Sequence, residues 1–391
     1  MTKTRLCIVT TTRADWGLLM PLAGALRETP SVDLQIVAAN MHLMEEYGMT
    51  VDEIVGAGFT VDARVPMRVE GDDEASRVRA MGVCMAEIAD AFEALRPDAA
   101  ILLGDRYEML AIASAAAVMR IPIIHIAGGE ISEGAIDDAL RHAITKLATL
   151  HLTATEPYRQ RVIQMGENPE RVVNTGAIGV WNAFNTPLMS AEELSANLGI
   201  DLTSKPVAVV TFHPATNDTS STSGEQMQAL LDALDRFENL NTIITYPNND
   251  AGGSDLIAMI EGYAAAHPER VRAVRSLGMV RYQSLLQIAA AVIGNSSSGI
   301  VEAPSAGAPT VDIGIRQRGR LAADSVIHCS TDTYSIVKAI AKALSPEMQA
   351  LAAKKENPYY KPDTLQIMTD TIVRFAECLP VEPKKFYDIP R

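Results

Sequence analysis

The amino-acid sequence predicts an α/β protein made of two successive Rossmann-like lobes. Three observations carry that expectation. Short apolar runs recur along the chain and close in Gly or polar residues, as buried parallel strands do when they deliver groups at their carboxyl ends. Segments of helical length and period lie between them. The rhythm pauses over residues 182–205 and then restarts, dividing 391 residues into two α/β halves. Composition agrees, since 48% hydrophobic but only 5% aromatic residues suit helices layered on parallel sheets.

Taken in order, Leu6–Thr10 is a strand and Thr11–Asp15 its turn, followed by a helix from Trp16 to Arg27 with Leu18, Leu19, Leu22 and Leu26 on one face. Leu34–Ala38 and Phe59–Val65 are the next strands. Gly71-Asp72-Asp73-Glu74 is a polar loop, either over the site or plainly solvated. A helix over Ala75–Leu95 stops at Arg96-Pro97-Asp98. Ile101–Leu103 is a strand closed by Gly104-Asp105-Arg106; Tyr107–Met119 is an Ala-rich crossover helix; Ile121–Ile126 opens into Ala127-Gly128-Gly129-Glu130. Leu150–Ala154 and Val172–Gly176 complete the first half. The second half has strands at Val207–Phe212, Thr242–Tyr246, Val271–Val274, Ala291–Ile293 and Thr310–Ile313. A last helix spans Thr364–Cys378. The expected domains are therefore 1–180, 181–362, and a 363–391 helix and tail that crosses back onto the first lobe.

Charge and cysteine usage narrow the class. With 34 basic and 48 acidic residues the formal charge is −14, which argues against a nucleic-acid or anionic-membrane partner. Cys7, Cys84, Cys329 and Cys378 show no CxxC spacing, so free thiols in a reducing compartment are expected, with neither zinc nor disulfides. No apolar segment reaches membrane-spanning length and no signal peptide is evident, so the expected location is cytoplasmic.

Chemistry concentrates between Ile101 and Lys146. In doubly wound sheets, ligands bind beyond the carboxyl ends of the strands. This stretch places Asp105, Arg106, His125, Glu130, Asp137 and Arg141 around one such crevice. Close carboxylates raise one another's pKa, which suits proton transfer. The plainer alternative is that Asp105–Arg106 and Asp137–Arg141 are ion pairs. Gly294-Asn295-Ser296-Ser297-Ser298-Gly299 closes a strand and opens a helix, so it is either an anion cradle or an ordinary Ser cap. Arg13 could contact a diphosphate, or be a surface arginine. His213 is a phosphate donor or acid/base candidate, or a strand-end histidine. Arg316-Gln317-Arg318-Gly319-Arg320 is a diphosphate clamp or a solvated loop. The chain has no GxxxxGK[ST], no GxGxxG after the first strand, no HExxH and no GxSxG, so nucleoside triphosphate, ordinary NAD, metal and Ser-triad sites are unsupported.

Together the motifs are diagnostic. TTRAD at 11–15, GDRYE at 104–108, HIAGGE at 125–130, IDDALRHAITK at 136–146, HP at 213–214, GNSSSGIVEAP at 294–304 and IGIRQRGR at 313–320 resemble the hydrolysing UDP-N-acetylglucosamine 2-epimerases. The FYDIP tail at 386–390 is similar too. The resemblance implies a glycosyltransferase-B type fold with the active site in the interlobe cleft, UDP on the second lobe, and a homodimer or homotetramer. It implies a UDP-sugar as substrate and no cofactor or metal.

The family reaction requires UDP to leave C1 of the sugar, so that oxocarbenium character acidifies C2 and a 2-acetamidoglycal forms; water then adds at C1 and C2 is protonated on the opposite face. Carried over by motif, Arg13, His213, Ser296, Ser297 and Ser298 would hold the diphosphate, with Gly299, Arg106 and Arg318 beside the ligand and Glu302 on the ribose. Asp105, Glu130, Asp137 and His213 would be the catalytic set, with Arg141 orienting Asp137. Relatives that place Glu between His-Ile and Gly-Gly differ here, where the residue is Ala127. The spacing from Gly-Gly to Asp-Asp is also one residue longer than in some relatives. Both differences resemble the subgroup acting on UDP-2,4-diacetamido-2,4,6-trideoxyglucose in legionaminic acid synthesis. A glycosyltransferase of the same fold and a non-catalytic sugar-nucleotide sensor are the rival classes.

Overall fold

Continuous Val/Ile/Leu/Ala runs, apolar on both faces, can be buried only between two layers of helix, and both sheets here are parallel throughout and covered on both sides. The structure, a computed structural model, describes residues 3–67, 71, 73–248, 250 and 252–389. Asp72 of the expected Gly71–Glu74 loop and Pro390 of the FYDIP tail lie outside the described residues.

The first sheet contains β1 (Thr4–Thr10), β2 (Val32–Ala39), β3 (Ala63–Val65), β4 (Ala99–Leu103), β5 (Ile123–Ile126), β6 (Leu150–Thr153) and β7 (Val172–Asn174), in the order β3-β2-β1-β4-β5-β6-β7. The second contains β8 (Val207–Thr211), β9 (Asn241–Thr245), β10 (Val271–Val274), β11 (Ala289–Gly294), β12 (Thr310–Ile313) and β13 (Val326–Cys329), ordered β10-β9-β8-β11-β12-β13. All registered pairs are parallel. In each sheet the winding reverses beside the first strand, between β1 and β4 and between β8 and β11. Those two places are the topological switch points where α/β sheets open a crevice for ligand.

The expected α/β class is what the chain adopts, with differences at element ends. The first long helix begins at Arg13 rather than Trp16, because Thr12 and Asp15 form a capping box that starts it inside the TTRAD motif. The third strand shrinks to Ala63–Val65, and Phe59 instead meets the edge of Trp16, ring centroids 5.2 Å apart. Asp73 caps the Glu74–Leu95 helix by accepting from the Ser76 N–H at 2.7 Å.

The chain folds as two compact units, residues 1–130, 137–181 and 361–391 forming one and 131–136 with 182–360 the other. The Thr364–Glu377 helix joins the first unit by burying Met368, Ile372 and Phe375 with Leu19, Leu22 and Leu26 of the Arg13–Arg27 helix. Nothing in the sequence sets Ile131–Ile136 apart from its flanks, yet it packs within the second unit. Glu133 N–H donates to the Arg318 carbonyl at 3.1 Å and Ile136 N–H to Thr216 Oγ1 at 3.0 Å. Gly134 is backed so closely by the Ile315–Arg316 peptide that no side chain would fit there. Among the described residues no helix is long and apolar enough to cross a membrane.

Candidate functional site

In the first unit, the loops leaving β1 and β4 flank the switch point. The β1 loop is built around one carboxylate. Asp15 accepts from the Thr11 N–H at 2.8 Å, the Thr12 N–H at 2.9 Å and the Thr11 hydroxyl at 2.8 Å. This places half-buried Arg13 at the first helical position, where burial lowers its pKa to about 10. Behind it, His42 bridges Thr10 and Thr50 through its two ring nitrogens, at 3.0 and 2.8 Å. Burial lowers its pKa to about 4, so it is neutral and structural.

The loop after β4 carries the denser chemistry. Gly104 takes a left-handed φ of 85°, turning the chain at the strand end so that Asp105 and Arg106 follow at once. Arg141, at 1% exposure, ion-pairs with Asp105, lies 3.5 Å from Asp138 Oδ1 and donates to the Glu130 carbonyl at 2.8 Å. Arg141, expected to orient Asp137, fastens Asp105 and Asp138. The reason is reach: from the buried face of the Asp137–Leu147 helix, its guanidinium spans to the neighbouring strand end. Asp137 stands half-exposed at that helix's N-terminus, and Glu130 is 5% exposed. The planar guanidinium fixes the direction of the carboxylate it holds.

His125 does not line the crevice. It is fully buried, and its Nε2–H donates to the Gly104 carbonyl at 2.8 Å, with Nδ1 3.2 Å from Thr145 Oγ1. Burial lowers its pKa to about 4, so it acts as a neutral prop for the Asp105 turn. Arg106 meets Glu108, which sequence reasoning passed over: Glu108 is fully buried and accepts from Arg106 Nε at 2.7 Å and from Asn40 Nδ2 at 2.9 Å. The signal was present as the Glu of GDRYE, two residues from the arginine it holds.

In the second unit the switch point is spanned by an asparagine that sequence reasoning left unassigned. Asn295 accepts from the His213 N–H at 2.7 Å and donates to the His213 carbonyl at 2.8 Å, locking the loop after β8 to the loop after β11. Its own carbonyl receives Arg316 Nη1 at 3.2 Å and Gln317 Nε2 at 2.8 Å. The basic run is thus neither a free clamp nor a solvated loop at its start, since Arg316 and Gln317 are buried braces. Arg318 is exposed, and its carbonyl holds the 131–136 segment. His213 Nδ1 accepts from the Asn248 N–H at 3.2 Å, which leaves the Nε2 nitrogen to carry the ring proton.

Gly294, at φ 135°, lies so close to the Thr211 carbonyl that any side chain would collide with it. The serines follow: Ser296 and Ser298 hydroxyls are 3.2 Å apart, and Ser298 pairs with the Tyr282 hydroxyl. The helix they open is short, Ser297–Val301, and is followed by a second at Ala303–Ala306. A full macrodipole is therefore not available, and hydroxyl and N–H groups are the donors the loop offers. Gly299 packs against Thr310 beneath them. Glu302 sits at the break, 8% exposed, with its pKa raised to about 7 by burial.

Each switch point is thus a furnished site, one with paired carboxylates and arginines, the other with backbone donors, hydroxyls, a histidine and the buried carboxyl of Glu302. The profile of the family described as UDP-N-acetylglucosamine 2-epimerase matches residues 24–373. A GDP/UDP-N,N'-diacetylbacillosamine 2-epimerase (hydrolyzing) of Campylobacter jejuni is 38% identical over 84% of either chain. Polysialic acid biosynthesis protein P7 of Escherichia coli is 35% identical over 99% of this chain and 98% of its own. The crystal structure of UDP-GlcNAc 2-epimerase from Neisseria meningitidis bound to UDP-GlcNAc superposes with a TM-score of 0.76 at 16% identity, over 95% of this chain and 100% of the other, a likeness of fold. The chain belongs to the UDP-N-acetylglucosamine 2-epimerase family.

Proposed function

We propose that this chain is a hydrolysing UDP-sugar 2-epimerase, which converts a UDP-2-acetamido sugar of gluco configuration and water to the free manno sugar and UDP. The observation that carries the reading is the Asp105–Arg141–Glu130 knot at a switch point, with Asp137 at the head of the same helix. Elimination needs a base for the C2 proton and an acid to return one on the other face. The C2 proton is not acidic in the resting sugar. Departure of UDP from C1 builds positive charge on the ring and makes C2 acidic enough for a carboxylate. The C2–H and C1–O bonds break, the C1–C2 double bond of the glycal forms, and water then adds across it. Asp105, Glu130 and Asp137 are the acid/base groups in this scheme, and Arg141 aims Asp105. Arg13, His213 and Ser296–Ser298 receive the diphosphate as charge accumulates on it. Glu302 takes the ribose hydroxyls, and Arg106 and Arg318 contact the ligand.

The substrate is UDP-N-acetylglucosamine or its 2,4-diacetamido-2,4,6-trideoxy relative, feeding sialic or legionaminic acid synthesis respectively. Ala127 in place of a glutamate and the 38% identity to a relative named for diacetylbacillosamine favour the second. Turnover of both sugars side by side in heavy water, followed by proton NMR, tests the scheme. The expected result is UDP, a manno product and deuterium at C2, with the higher kcat/KM on the diacetamido sugar. Protium at C2 with retained gluco configuration means simple hydrolysis and ends the elimination mechanism. A requirement for an acceptor makes the chain a glycosyltransferase of the same fold.

A further inference from the structure

The tail beyond the Thr364–Glu377 helix takes no part in the chemistry above, yet it is fastened to the helix that carries that chemistry. Lys384 places its ammonium 2.7 Å from the carbonyls of Lys146 and Ala148 and 3.4 Å from that of Thr145. These are the last turn of the Asp137–Leu147 helix and the residue just past it. The final turn of any helix leaves carbonyls without partners and concentrates partial negative charge there. Lys384 answers both needs from more than two hundred positions away in sequence. The helix's own Lys146 does not fill this place, because its ammonium turns to the Met165 carbonyl at 2.9 Å and to Glu167 at 2.6 Å.

Further contacts seat the strap. Tyr387 N–H donates to the Gly166 carbonyl at 2.9 Å, and the Phe386 ring lies where a side chain at Gly166 would have to be. The Lys146 ammonium stands 4.9 Å from the centre of that ring. Glu167, only 2% exposed, is the common anchor: it takes Lys146, Lys384 at 2.7 Å and His151 Nε2 at 3.0 Å. Burial alone would raise its carboxyl, but hydrogen bonds from His151, Lys146 and Lys384 outweigh it and bring the pKa to about 2.

A continuous chain of contacts leads from the strap to the reacting groups. Thr145, whose carbonyl faces Lys384, donates its hydroxyl to the Arg141 carbonyl at 3.0 Å and meets His125 Nδ1 at 3.2 Å. Arg141 holds Asp105, and His125 holds the Gly104 carbonyl just before it. We propose that the C-terminal strap, through Lys384, is a positioning element for the Asp137–Leu147 helix and so for Arg141 and Asp105 during turnover. The inference rests on the assignment of Asp105 and Asp137 as acid/base groups.

The experiment compares full-length Lys384→Met and Lys384→Arg with the unaltered protein. Lys384→Met should lower kcat about tenfold, short of the ~10²-fold that a 1 Å misplacement can cost. KM for the UDP-sugar and UDP affinity should stay within about twofold. Amide exchange should quicken over residues 141–147 and not across the second unit. Lys384→Arg should recover at least half of kcat, since it keeps the cation on the carbonyls. Phe386→Ala loosens the strap from outside, the ring being 66% exposed, and should lower kcat by about twofold even if Lys384→Met fails to fold. Unchanged kcat in these variants overturns the proposal. So does a loss that Arg does not rescue and that UDP affinity and melting temperature share equally, the signature of a tail that merely holds the fold. Asp105→Asn run alongside keeps the two ideas apart. Full turnover there sinks the acid/base assignment, whereas a disabled Asp105→Asn beside a normal Lys384→Met sinks the strap alone.

Discussion

The two switch points of this chain occupy the same place in their sheets and are furnished in opposite ways. Beside β4, formal charges dominate: Asp105 and Asp138 share Arg141, and Glu108 holds Arg106. Beside β11, the main connections are neutral, through the two bonds of Asn295 to the His213 peptide and a run of serine hydroxyls. Its Arg316 is turned inward to a carbonyl, and burial raises the pKa of the Glu302 carboxyl to about 7. The difference fits the two tasks proposed for the sites. Moving protons requires titratable groups whose charge is set by neighbours. Receiving a leaving anion requires donors already aimed, with little negative charge in the way.

The sharpest way to break this comparison is to neutralise the first site. Asp105→Asn and Asp137→Asn should each cut turnover by ~10²-fold or more, as expected for lost acid/base groups, with UDP affinity little changed. Near-normal turnover in either variant removes that residue from the chemistry. Next in size, Asn295→Ala should weaken UDP binding about tenfold, because the buried His213 N–H loses its partner and the loop it holds goes slack. Titration calorimetry on the purified variant measures this, and unchanged affinity would show that the bracket does not shape the nucleotide site.

Arg13→Ala and Ser297→Ala sharpen the comparison further. Each should weaken UDP binding roughly three- to tenfold, the scale of one charge-assisted or hydroxyl hydrogen bond. Unchanged affinity in Arg13→Ala alone would leave the nucleotide to the second unit. The smallest effect is a pH dependence at Glu302. Its folded pKa of about 7 lies above its ordinary 4.5, so folding takes up a proton between those values. The protonated carboxyl is tolerated below that window, and stability is lost as pH rises through about 7. Glu302→Gln has no such loss, so its melting temperature relative to wild type should climb from pH 4.5 to about pH 7.5. A constant difference across that range would mean that Glu302 is solvated. With Glu302 on the ribose as proposed, the same variant should bind UDP more weakly above the folded pKa, where the wild-type carboxylate would accept from the ribose.

Some of this is written in the sequence itself. Apolar runs ending in Gly-Asp-Arg, in Ala-Gly-Gly-Glu or in Gly-Asn-Ser placed functional groups at strand ends, because a parallel strand must be apolar throughout and can change character only where it leaves the sheet. Asp105, Glu130, His213 and Ser296–Ser298 were candidates in that way, and Asp137 as the first residue of a helix. The capping box at Thr12–Asp15 was also written locally, although the helix it starts was expected three residues later.

What the sequence by itself determined is the alternation of strand and helix, the two-part division and the residue types waiting at each strand end. Those features depend on periods of two to four residues, which any window of the chain displays. The tertiary structure alone decided the partners. Arg141 faces Asp105 across 36 positions, Asn295 brackets His213 across 82, and Lys384 reaches Lys146 across 238. Each of these pairs exists because sheet order sets β4 beside β5, or β8 beside β11, or because the last helix returns to the first unit. His125 shows the same limit from the other side. Its residue type suggested chemistry, but a place in the middle of a covered sheet removed its water, lowered its pKa and left it to hold a turn.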